Sequence, residues 1–247
     1  MAFRLVHAGA TDVGLARTHN EDAYVVEPEL RAYVICDGMG GHASGAVAAE
    51  VATSTISETL RGASSGASGG REEPLEPLVR AILAANRAVY ARSQSDPNCH
   101  GMGTTVVALR FDDDLVHACH IGDSRIYLLR RGELHPLTRD HSLINLYADH
   151  PDLVGKLGPA HSNIIVRAVG LHELVEVEHT SFPVELGDLY LLCSDGLVDM
   201  AEDWMLREIL TAGESLDETA AMLIRAANNH GGADNVSVIL VRAEAPA

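Results

Sequence analysis

The chain has 247 residues, of which 47% are apolar and 21% are charged, a composition too apolar for a disordered protein. Its formal net charge of −17 disfavours DNA, RNA and anionic lipid as partners, because a strongly acidic surface repels all three. No window approaches the roughly 20 apolar residues of a membrane span. The first ten residues lack the apolar core of a signal peptide, so we predict a cytoplasmic protein.

Short apolar runs rich in Val, Ile, Leu and Tyr predict β-strands along most of the chain. Arg131 and Gly132 predict a two-residue hairpin turn between two of these runs. The predicted strands cover residues 3–9, 23–27, 31–36, 104–111, 115–121, 125–130, 164–169, 174–182, 188–193 and 235–242.

Three segments carry apolar residues at helical spacing. The first covers about 44–60, and the second follows Pro74 and extends to Tyr90, since proline suits a first helical turn. The third begins at Ser215, with Glu218 three residues later as a capping box. Residues 64–71 (SSGASGGR) predict a flexible connector, and Trp204 with Met205 is expected to pack into a further helix.

The strands occur in consecutive groups that helices interrupt. This order favours an α+β fold of layered, mostly antiparallel sheets, which we expect to form one domain over residues 1–247. The stretch 140–157 shows little periodicity, and a loop of that length inside a compact domain is often functional.

Four aspartates lie where predicted strands begin or end: Asp22, Asp37, Asp195 and Asp234. Any one of them alone is a common turn signal. If these strand ends meet, two carboxylates ~4 Å apart repel by about 4 kcal/mol at an effective dielectric of ~20, so the pocket must bind protons or cations. Oxygen ligands suit magnesium or manganese better than zinc. Gly38, next to Asp37, lets the backbone approach closely enough for its carbonyl to touch a metal.

Eight short segments, in this order, resemble the motifs of the metal-dependent serine/threonine protein phosphatases of type 2C in their compact bacterial form. The resemblance extends from residue 17 to residue 240 and therefore covers nearly the whole chain. The segments are RTHNEDAY (17–24), VICDGMGGH (34–42), GTT (103–105), GDSRIY (122–127), TRDHS (138–142), VRAVG (166–170), CSDGLVD (193–199) and GADNVSVIL (232–240).

The resemblance implies a central sandwich of two antiparallel β-sheets flanked by helices on both sides, in α-β-β-α layers, with a flap around 140–165. It implies two Mn²⁺ or Mg²⁺ ions per chain. Asp37 would bridge both metals, and the Gly38 carbonyl would complete one site. Asp195 and Asp234 would hold the other metal, and Asp123 with Asp195 would offer a third, weaker site.

The remaining roles implied by the resemblance surround these ligands. Asp22, with Glu21 beside it, would orient metal-bound water, and Arg17 would grip the phosphate. Asn235, next to Asp234, would support the ligands from behind. The expected partners are phosphorylated proteins, including a Ser/Thr kinase, and the expected oligomeric state is a monomer.

The implied reaction uses a hydroxide that two cations about 3.5–4 Å apart generate from a shared water near neutral pH. The hydroxide attacks phosphorus in line with the seryl or threonyl oxygen, while the metals and Arg17 neutralise the phosphoryl oxygens. One position departs from many eukaryotic members, which carry a histidine directly after the Asp-Gly pair as the proposed general acid. Met39 stands there, so His42 or a metal-bound water is left for that role.

Two other spacings suggest different chemistry. Cys119 and Arg125 fit the Cys-x5-Arg spacing of cysteine-dependent phosphatases, but the residues after them predict a strand and Asp123 would repel phosphate. His117, Cys119 and His120 suggest zinc, yet 117 and 119 share one strand face, 120 points away, and nothing nearby completes a tetrahedral set.

Two further functions stay open at this point. A phosphatase-like binding module without turnover would retain the fold, but such modules usually lack a metal aspartate or Arg17, and none is missing here. A phosphatase of a small phosphorylated metabolite would carry the same motifs.

Overall fold

The computed structural model describes residues 3–40, 44–65, 75–148, 164–212 and 215–246. Within these ranges the chain forms eleven strands and six α-helices. The strands are β1 (Arg4–Asp12), β2 (Asp22–Glu27), β3 (Ala32–Met39), β4 (Gly103–Thr104), β5 (Val106–Phe111), β6 (Leu115–Ile121), β7 (Arg125–Arg130), β8 (Glu133–Pro136), β9 (Glu178–Pro183), β10 (Leu189–Cys193) and β11 (Val236–Glu244). The helices are α1 (Ser44–Ser65), α2 (Glu76–Ser95), α3 (Leu143–Leu146), α4 (Asp195–Val198), α5 (Asp203–Ala212) and α6 (Leu216–Asn229).

The strands form two antiparallel sheets. One has the order β1-β11-β10-β7-β8, and the other has the order β2-β3-β5-β6-β9, with β4 attached to β3. Arg131 and Gly132 join β7 to β8 with φ angles of 54° and 79°, so both central residues of this turn have positive φ. That backbone suits a tight antiparallel hairpin and confirms the predicted turn.

Three apolar layers hold the sheets and helices together. Tyr33 and Ile35 of β3 face Ile239 and Val241 of β11 across the space between the sheets. The opposite face of β3, including Val34, packs against α1 and α2. The outer face of the other sheet packs against α4, α5 and α6. The predicted α-β-β-α sandwich is therefore confirmed, with alternate strand residues serving two separate cores.

The helix ends follow local sequence signals. Ser215 caps α6 by accepting the Glu218 N–H at 3.2 Å, as the capping box predicts. The Glu218 carboxylate accepts from the Ser215 hydroxyl at 3.0 Å, whereas in a capping box it accepts from the backbone N–H of the cap residue. Pro74 lies outside the described residues, and α2 begins at Glu76 with Pro77 in its first turn. None of the described helices has the length and apolar character needed to cross a membrane.

Two predictions about local structure were wrong. Residues 164–169 do not form a strand, because their backbone hydrogen bonds go to two different parts of the chain. Ile165 forms an isolated bridge with Ser142, and Val169 forms one with Thr104. Trp204 lies on α5 but leaves 59% of its surface exposed, whereas its neighbour Met205 packs against the helical core. The helical period of α5 turns the indole outward and the thioether inward.

A buried carboxylate, Asp188, closes the sandwich before β10. It is 1% exposed, and both of its oxygens are paired. Arg130 contacts them through two nitrogens at 2.8 and 2.7 Å, while the Tyr190 hydroxyl and the Glu185 N–H donate at 2.9 and 2.8 Å. Because every acceptor is satisfied, this charge stabilises the end of the sheet at which it lies.

Replacement of Asp188 by alanine should lower the free energy of unfolding by about 3 kcal/mol, since it removes the two-nitrogen partner of Arg130 and the acceptor of the buried Tyr190 hydroxyl. Glu185→Ala is the matched control, because Glu185 contacts the same arginine at 3.2 Å from a side chain that is 41% exposed. We expect the control to cost less than about 1 kcal/mol. Urea unfolding measures the free energy of unfolding of both variants. Equal losses of stability would show that Asp188 is no more important than an exposed partner of Arg130.

Candidate active site

Aspartates from both sheets meet at one end of the sandwich. Asp22 on β2 lies directly opposite Asp37 on β3. Asp195 follows β10 and opens α4, and Asp234 lies two residues before β11. Because β10 and β11 are antiparallel neighbours, the end of one and the start of the other lie side by side. The structure therefore brings together the four aspartates that the sequence placed at strand ends.

Asp37 and Asp195 form the centre of this cluster, and their carboxyl groups lie close enough to shift each other's pKa. Burial raises the pKa of Asp37 well above its usual range, and the neighbouring Asp22 and Asp195 raise it further. Burial also raises the pKa of Asp195 to about 7, with Asp123 as the next cause. The protein stabilises the negative charge of this pair poorly on its own.

Asp22 has one satisfied oxygen and one unsatisfied oxygen. The Ser194 hydroxyl donates to Oδ2 at 2.8 Å, while Oδ1 is buried and has no hydrogen-bond partner among the described residues. Burial raises the pKa of Asp22 to about 6, and its bonds to Ser194 and Ser237 offset part of that shift. A buried carboxylate oxygen without a donor is the kind of group that a cation or an ordered water satisfies.

Two threonines fix the backbone of Asp37. The Asp37 N–H donates to the Thr105 hydroxyl at 3.0 Å, and the Asp37 carbonyl accepts from the Thr105 N–H and the Thr104 hydroxyl, both at 2.9 Å. The Thr105 hydroxyl also lies 2.7 Å from that of Ser124, and all three of these side chains are buried. These bonds give the GTT segment a physical role, which is to hold the central aspartate from behind.

Gly38 is required by close packing of backbone. A β-carbon on Gly38 would lie 2.1 Å from the Gly45 carbonyl oxygen and 2.6 Å from that of Glu21. A β-carbon on Gly45 would in turn lie 2.6 Å from the Glu21 carboxylate. The first turn of α1 can therefore sit against β3, and Glu21 lies in this junction with a pKa raised chiefly by burial.

Asn235 holds the loop that carries Arg17. Its side-chain oxygen accepts the Glu21 N–H at 2.8 Å, and its amide donates to the carbonyls of Val13 and His19, both at 2.9 Å. The Arg17 guanidinium contacts the Asp234 carboxylate at 2.6 Å and is 52% exposed. The predicted phosphate-binding residue therefore lies next to a predicted metal ligand, with its guanidinium open to solvent.

Asp123 lines a cavity of about 250 Å³ that adjoins the central pair. Burial raises the pKa of Asp123 to about 6, followed by the effects of Asp140 and Asp199, and its Oδ1 has no partner among the described residues. Asp195 and Asp199 line the same cavity, while Arg125 pairs with Asp140 through two nitrogens at 2.9 and 2.8 Å.

Asp199 is a member of the cluster that the sequence analysis missed. It has no glycine neighbour to mark it as a turn, but it follows Asp195 by four residues across the single turn of α4. That spacing places both carboxylates on one helix face, and it is the signal that could have identified Asp199. Burial raises its pKa as well, and Arg125 opposes the rise.

Other predicted features lie outside the cluster or outside the described residues. His42, the proposed acid, is not among the described residues, and neither are residues 149–163 of the flap predicted around 140–165. Cys119 is fully buried, and burial raises the pKa of its thiol to about 12, so the Cys-x5-Arg spacing does not produce a thiolate nucleophile. His117 contacts Ser181 at 2.7 Å and Asp112 at 3.1 Å, as a satisfied core histidine does.

The donor set fits hard divalent cations. The cluster offers carboxylate oxygens and a backbone carbonyl, and two of its buried carboxylate oxygens lack a hydrogen-bond partner among the described residues. Such oxygens match magnesium or manganese, whereas zinc prefers nitrogen and sulfur ligands.

The chain matches the family model described as protein phosphatase 2C over residues 16–230. It is 36% identical over 236 residues to the serine/threonine phosphatase stp of Listeria monocytogenes, covering 94% of this chain and 93% of that protein. It is 39% identical over 242 residues to the serine/threonine protein phosphatase PstP of Mycobacterium tuberculosis, covering 96% of this chain and 44% of that longer protein.

A solved structure gives the same correspondence in three dimensions. The catalytic domain of the serine/threonine protein phosphatase PstP, in complex with two manganese ions, superimposes with a TM-score of 0.85 and 35% identity. The match covers 98% of this chain and 99% of that one.

The carboxylate cluster should make the stability of the metal-free protein fall as pH rises from about 4 to 7. The folded pKa of Asp195, about 7, lies above its unfolded value, so the folded state binds the extra proton in this range and loses that advantage as the proton leaves. We expect Asp195→Asn to raise the melting temperature in EDTA by at least about 4 °C at pH 8 and to change it little at pH 4.

Manganese should raise the melting temperature of the wild-type protein more at pH 8 than at pH 5.5, since bound cations require ionised carboxylates. Thermal unfolding by circular dichroism at the two pH values measures this difference. If manganese raised the melting temperature equally at both pH values, the requirement for ionised carboxylates would be contradicted.

Thr105→Val removes the hydroxyl behind Asp37 and keeps the branched shape. It leaves the buried Asp37 N–H without an acceptor, so we expect a loss of about 1–3 kcal/mol in the free energy of unfolding. Thr105→Ser is the control, because it keeps the hydroxyl and loses only a methyl group. Urea unfolding of both variants tests the bond, and an equally stable valine variant would show that it is dispensable.

Proposed function

The chain belongs to the protein phosphatase 2C family, and on that premise we propose that its aspartate cluster hydrolyses phosphoserine and phosphothreonine on proteins with two divalent cations. The observation that carries the proposal is the convergence of Asp22, Asp37, Asp195 and Asp234 from both sheets at one end of the sandwich. Such a concentration of acids is costly unless cations occupy it. The names of the relatives, serine/threonine phosphatases, support the class of substrate.

Each ligand has a defined place in this proposal. Asp37 would serve both cations, with the Gly38 carbonyl as a further ligand for one of them and Asp195 and Asp234 as ligands for the other. Manganese or magnesium suits the oxygen donors, and the manganese ions of the PstP structure support that choice. When bound, the cations lower the pKa of a shared water, so that a hydroxide is available near neutral pH to attack phosphorus.

The residues around the ligands position the reactants. Arg17 donates to phosphoryl oxygens from a loop that Asn235 holds in place, and its half-exposed guanidinium is accessible to an incoming phosphate. Asp22 presents its unpartnered Oδ1 as an acceptor for the attacking water, and Ser194 keeps its other oxygen in place. Glu21 supports this arrangement from the junction with α1.

A third, weaker cation site is part of the proposal. Asp123, Asp195 and Asp199 line one cavity, and Asp123 has an unpartnered buried oxygen there. Asp140 lines the same cavity, but the Arg125 guanidinium already neutralises its carboxylate. Asp140 therefore positions Arg125 beside this cavity.

The partners follow from the substrate class. We infer that the substrates include phosphorylated proteins and a Ser/Thr kinase, and that the enzyme acts as a monomer in the cytoplasm. The leaving alkoxide needs a proton, and Met39 carries none, so His42 or a coordinated water supplies it. The specific ligand set favours turnover over a silent binding module, because no predicted ligand and no phosphate-binding arginine is missing.

Turnover of a phosphothreonine peptide with manganese, and then with excess EDTA, tests the proposal directly. We expect Asp37→Asn and Asp234→Asn each to reduce kcat at least about 100-fold while the protein stays folded, because each variant removes a ligand and also relieves repulsion. Asp113→Asn serves as the matched control, because it makes the same carboxylate-to-amide replacement at an exposed residue outside the cluster.

Full activity in EDTA would rule the mechanism out. Binding of phosphopeptide without phosphate release would identify a binding module. Faster hydrolysis of sugar phosphates than of phosphopeptides would identify a phosphatase of small metabolites.

A further inference from the structure

His141 is joined twice to the turn that carries Asp123. The His141 N–H donates to the Gly122 carbonyl at 2.9 Å, and the Gly122 N–H donates to the His141 ring Nδ1 at 3.1 Å. Gly122 has a φ of 105°, a backbone conformation that other residues rarely adopt. The two residues are 19 positions apart, so these bonds fasten the base of the flap to the β6–β7 turn.

The His141 ring belongs to a cluster with His120 and Glu178 whose polar atoms lie within 4.8 Å of one another. The sequence analysis expected no such partners for His120. The ring of His141 is stacked on that of His120, with centroids 4.6 Å apart and planes 17° from parallel. The Nε2 atom of His141 lies 3.0 Å from the Glu178 carboxylate.

This cluster does not fit a metal ion. A cation bound by two imidazoles must lie near the plane of each ring, and two stacked, nearly parallel rings share no such point. The Nδ1 of His141 accepts the Gly122 N–H, so the ring proton of the neutral imidazole lies on Nε2. That proton donates to Glu178 at 3.0 Å, while Arg167 Nη1 lies farther from the same nitrogen, at 3.3 Å, and Arg167 Nη2 pairs with Glu176. Both ring nitrogens of His141 are therefore already used, and the cluster is a hydrogen-bonded clamp.

The clamp holds the turn that carries Asp123. One oxygen of its side chain is buried without a hydrogen-bond partner among the described residues, so the side chain is only weakly restrained by its own bonds. The turn around it is held from one side by Thr105, which contacts Ser124 and would lie 2.6 Å from a β-carbon on Gly122. His141 holds the same turn from the other side.

We propose that His141 is a positioning residue that aims Asp123 into the cation cavity through its bond to the Gly122 N–H, and that Glu178 fixes the ring proton that this bond requires. The inference rests on the proposed function, because it assumes that Asp123 binds a cation. Hydrogen bonds would then connect Glu178 on the edge strand β9, through His141 at the base of the flap, to the turn that carries the Asp123 ligand.

Two substitutions of His141 separate the roles of its ring nitrogens. Asparagine places an amide oxygen near the position of Nδ1, so it can accept the Gly122 N–H, but it cannot reach Glu178. Glutamine reaches Glu178 but leaves the Gly122 N–H unpaired. We expect His141→Gln to raise the manganese concentration for half-maximal activity about 10-fold, and His141→Asn to change it less than about 3-fold.

The manganese bound per chain, counted by electron paramagnetic resonance, gives a readout independent of turnover. His141→Gln should lose the weakest bound ion, as Asp123→Asn does, and the double variant should be no worse than either single variant. Glu178→Ala is a second test on an exposed edge strand, and it should shift the manganese requirement in the same direction.

Several outcomes would overturn the inference. A wild-type manganese requirement in both His141→Gln and Glu178→Ala, with Asp123→Asn impaired, would overturn the positioning role and leave the proposed function intact. Equal losses in the asparagine and glutamine variants would show that His141 only stabilises the fold. Unchanged ion binding in Asp123→Asn would remove both the third site and the positioning role, whereas activity in EDTA would remove the proposed function itself.

Discussion

Burial of several like-charged carboxylates in one place is the constraint on which this structure depends. Burial is the largest cause of the raised pKa of Asp22, Asp37, Asp123 and Asp195, and mutual repulsion adds to it. Without cations, each of these groups favours its protonated form more than an exposed aspartate does. The sandwich must therefore hold the acids together with packing energy obtained elsewhere, as proteins do when a functional site is locally unfavourable.

The period of the β-strand places the acids on the correct face. Along β3, Tyr33, Ile35 and Asp37 point between the sheets, and the alternate residues face the helices. Ser194 and Ser237 continue the inter-sheet faces of β10 and β11 toward the same end. A slip of one residue would exchange the inter-sheet side chains with those that face the helices, so the two apolar cores fix the register that also aligns the aspartates. The core and the site are thus specified by the same pairing.

Prediction from the sequence was most accurate where local interactions between neighbouring residues determine the structure. Aspartates next to glycine at strand ends, the Ser215 capping box and the Arg131–Gly132 turn could all be identified because local chemistry decides them. Asp199 was missed because its signal is helical spacing within a single turn. The strand prediction for 164–169 was wrong because its apolar residues bond to two different elements.

The clamp of His141, Gly122 and Glu178 joins residues 19 and 37 positions apart, and no local pattern encodes such a contact. Tertiary packing alone brings these three residues together. The same holds for Asn235, whose amide reaches back more than 200 positions to fix the Arg17 loop.

A comparison of the two ends of the sandwich shows which kind of buried charge indicates function. At the end away from the aspartate cluster, Asp188 is bound by Arg130, Tyr190 and the Glu185 N–H. Glu27, at the far end of β2 from Asp22, is likewise bound by Ser57 and Arg61. Both carboxylates are buried, at 1% exposed for Asp188 and 8% for Glu27, and the protein itself supplies their partners.

At the other end, Asp22 and Asp123 each retain a buried oxygen with no partner among the described residues, and neighbouring acids raise the pKa of both. Hydrogen-bond satisfaction therefore distinguishes the two ends. A fold that pairs its structural carboxylates fully and leaves others unsatisfied has left those positions for a ligand of positive charge.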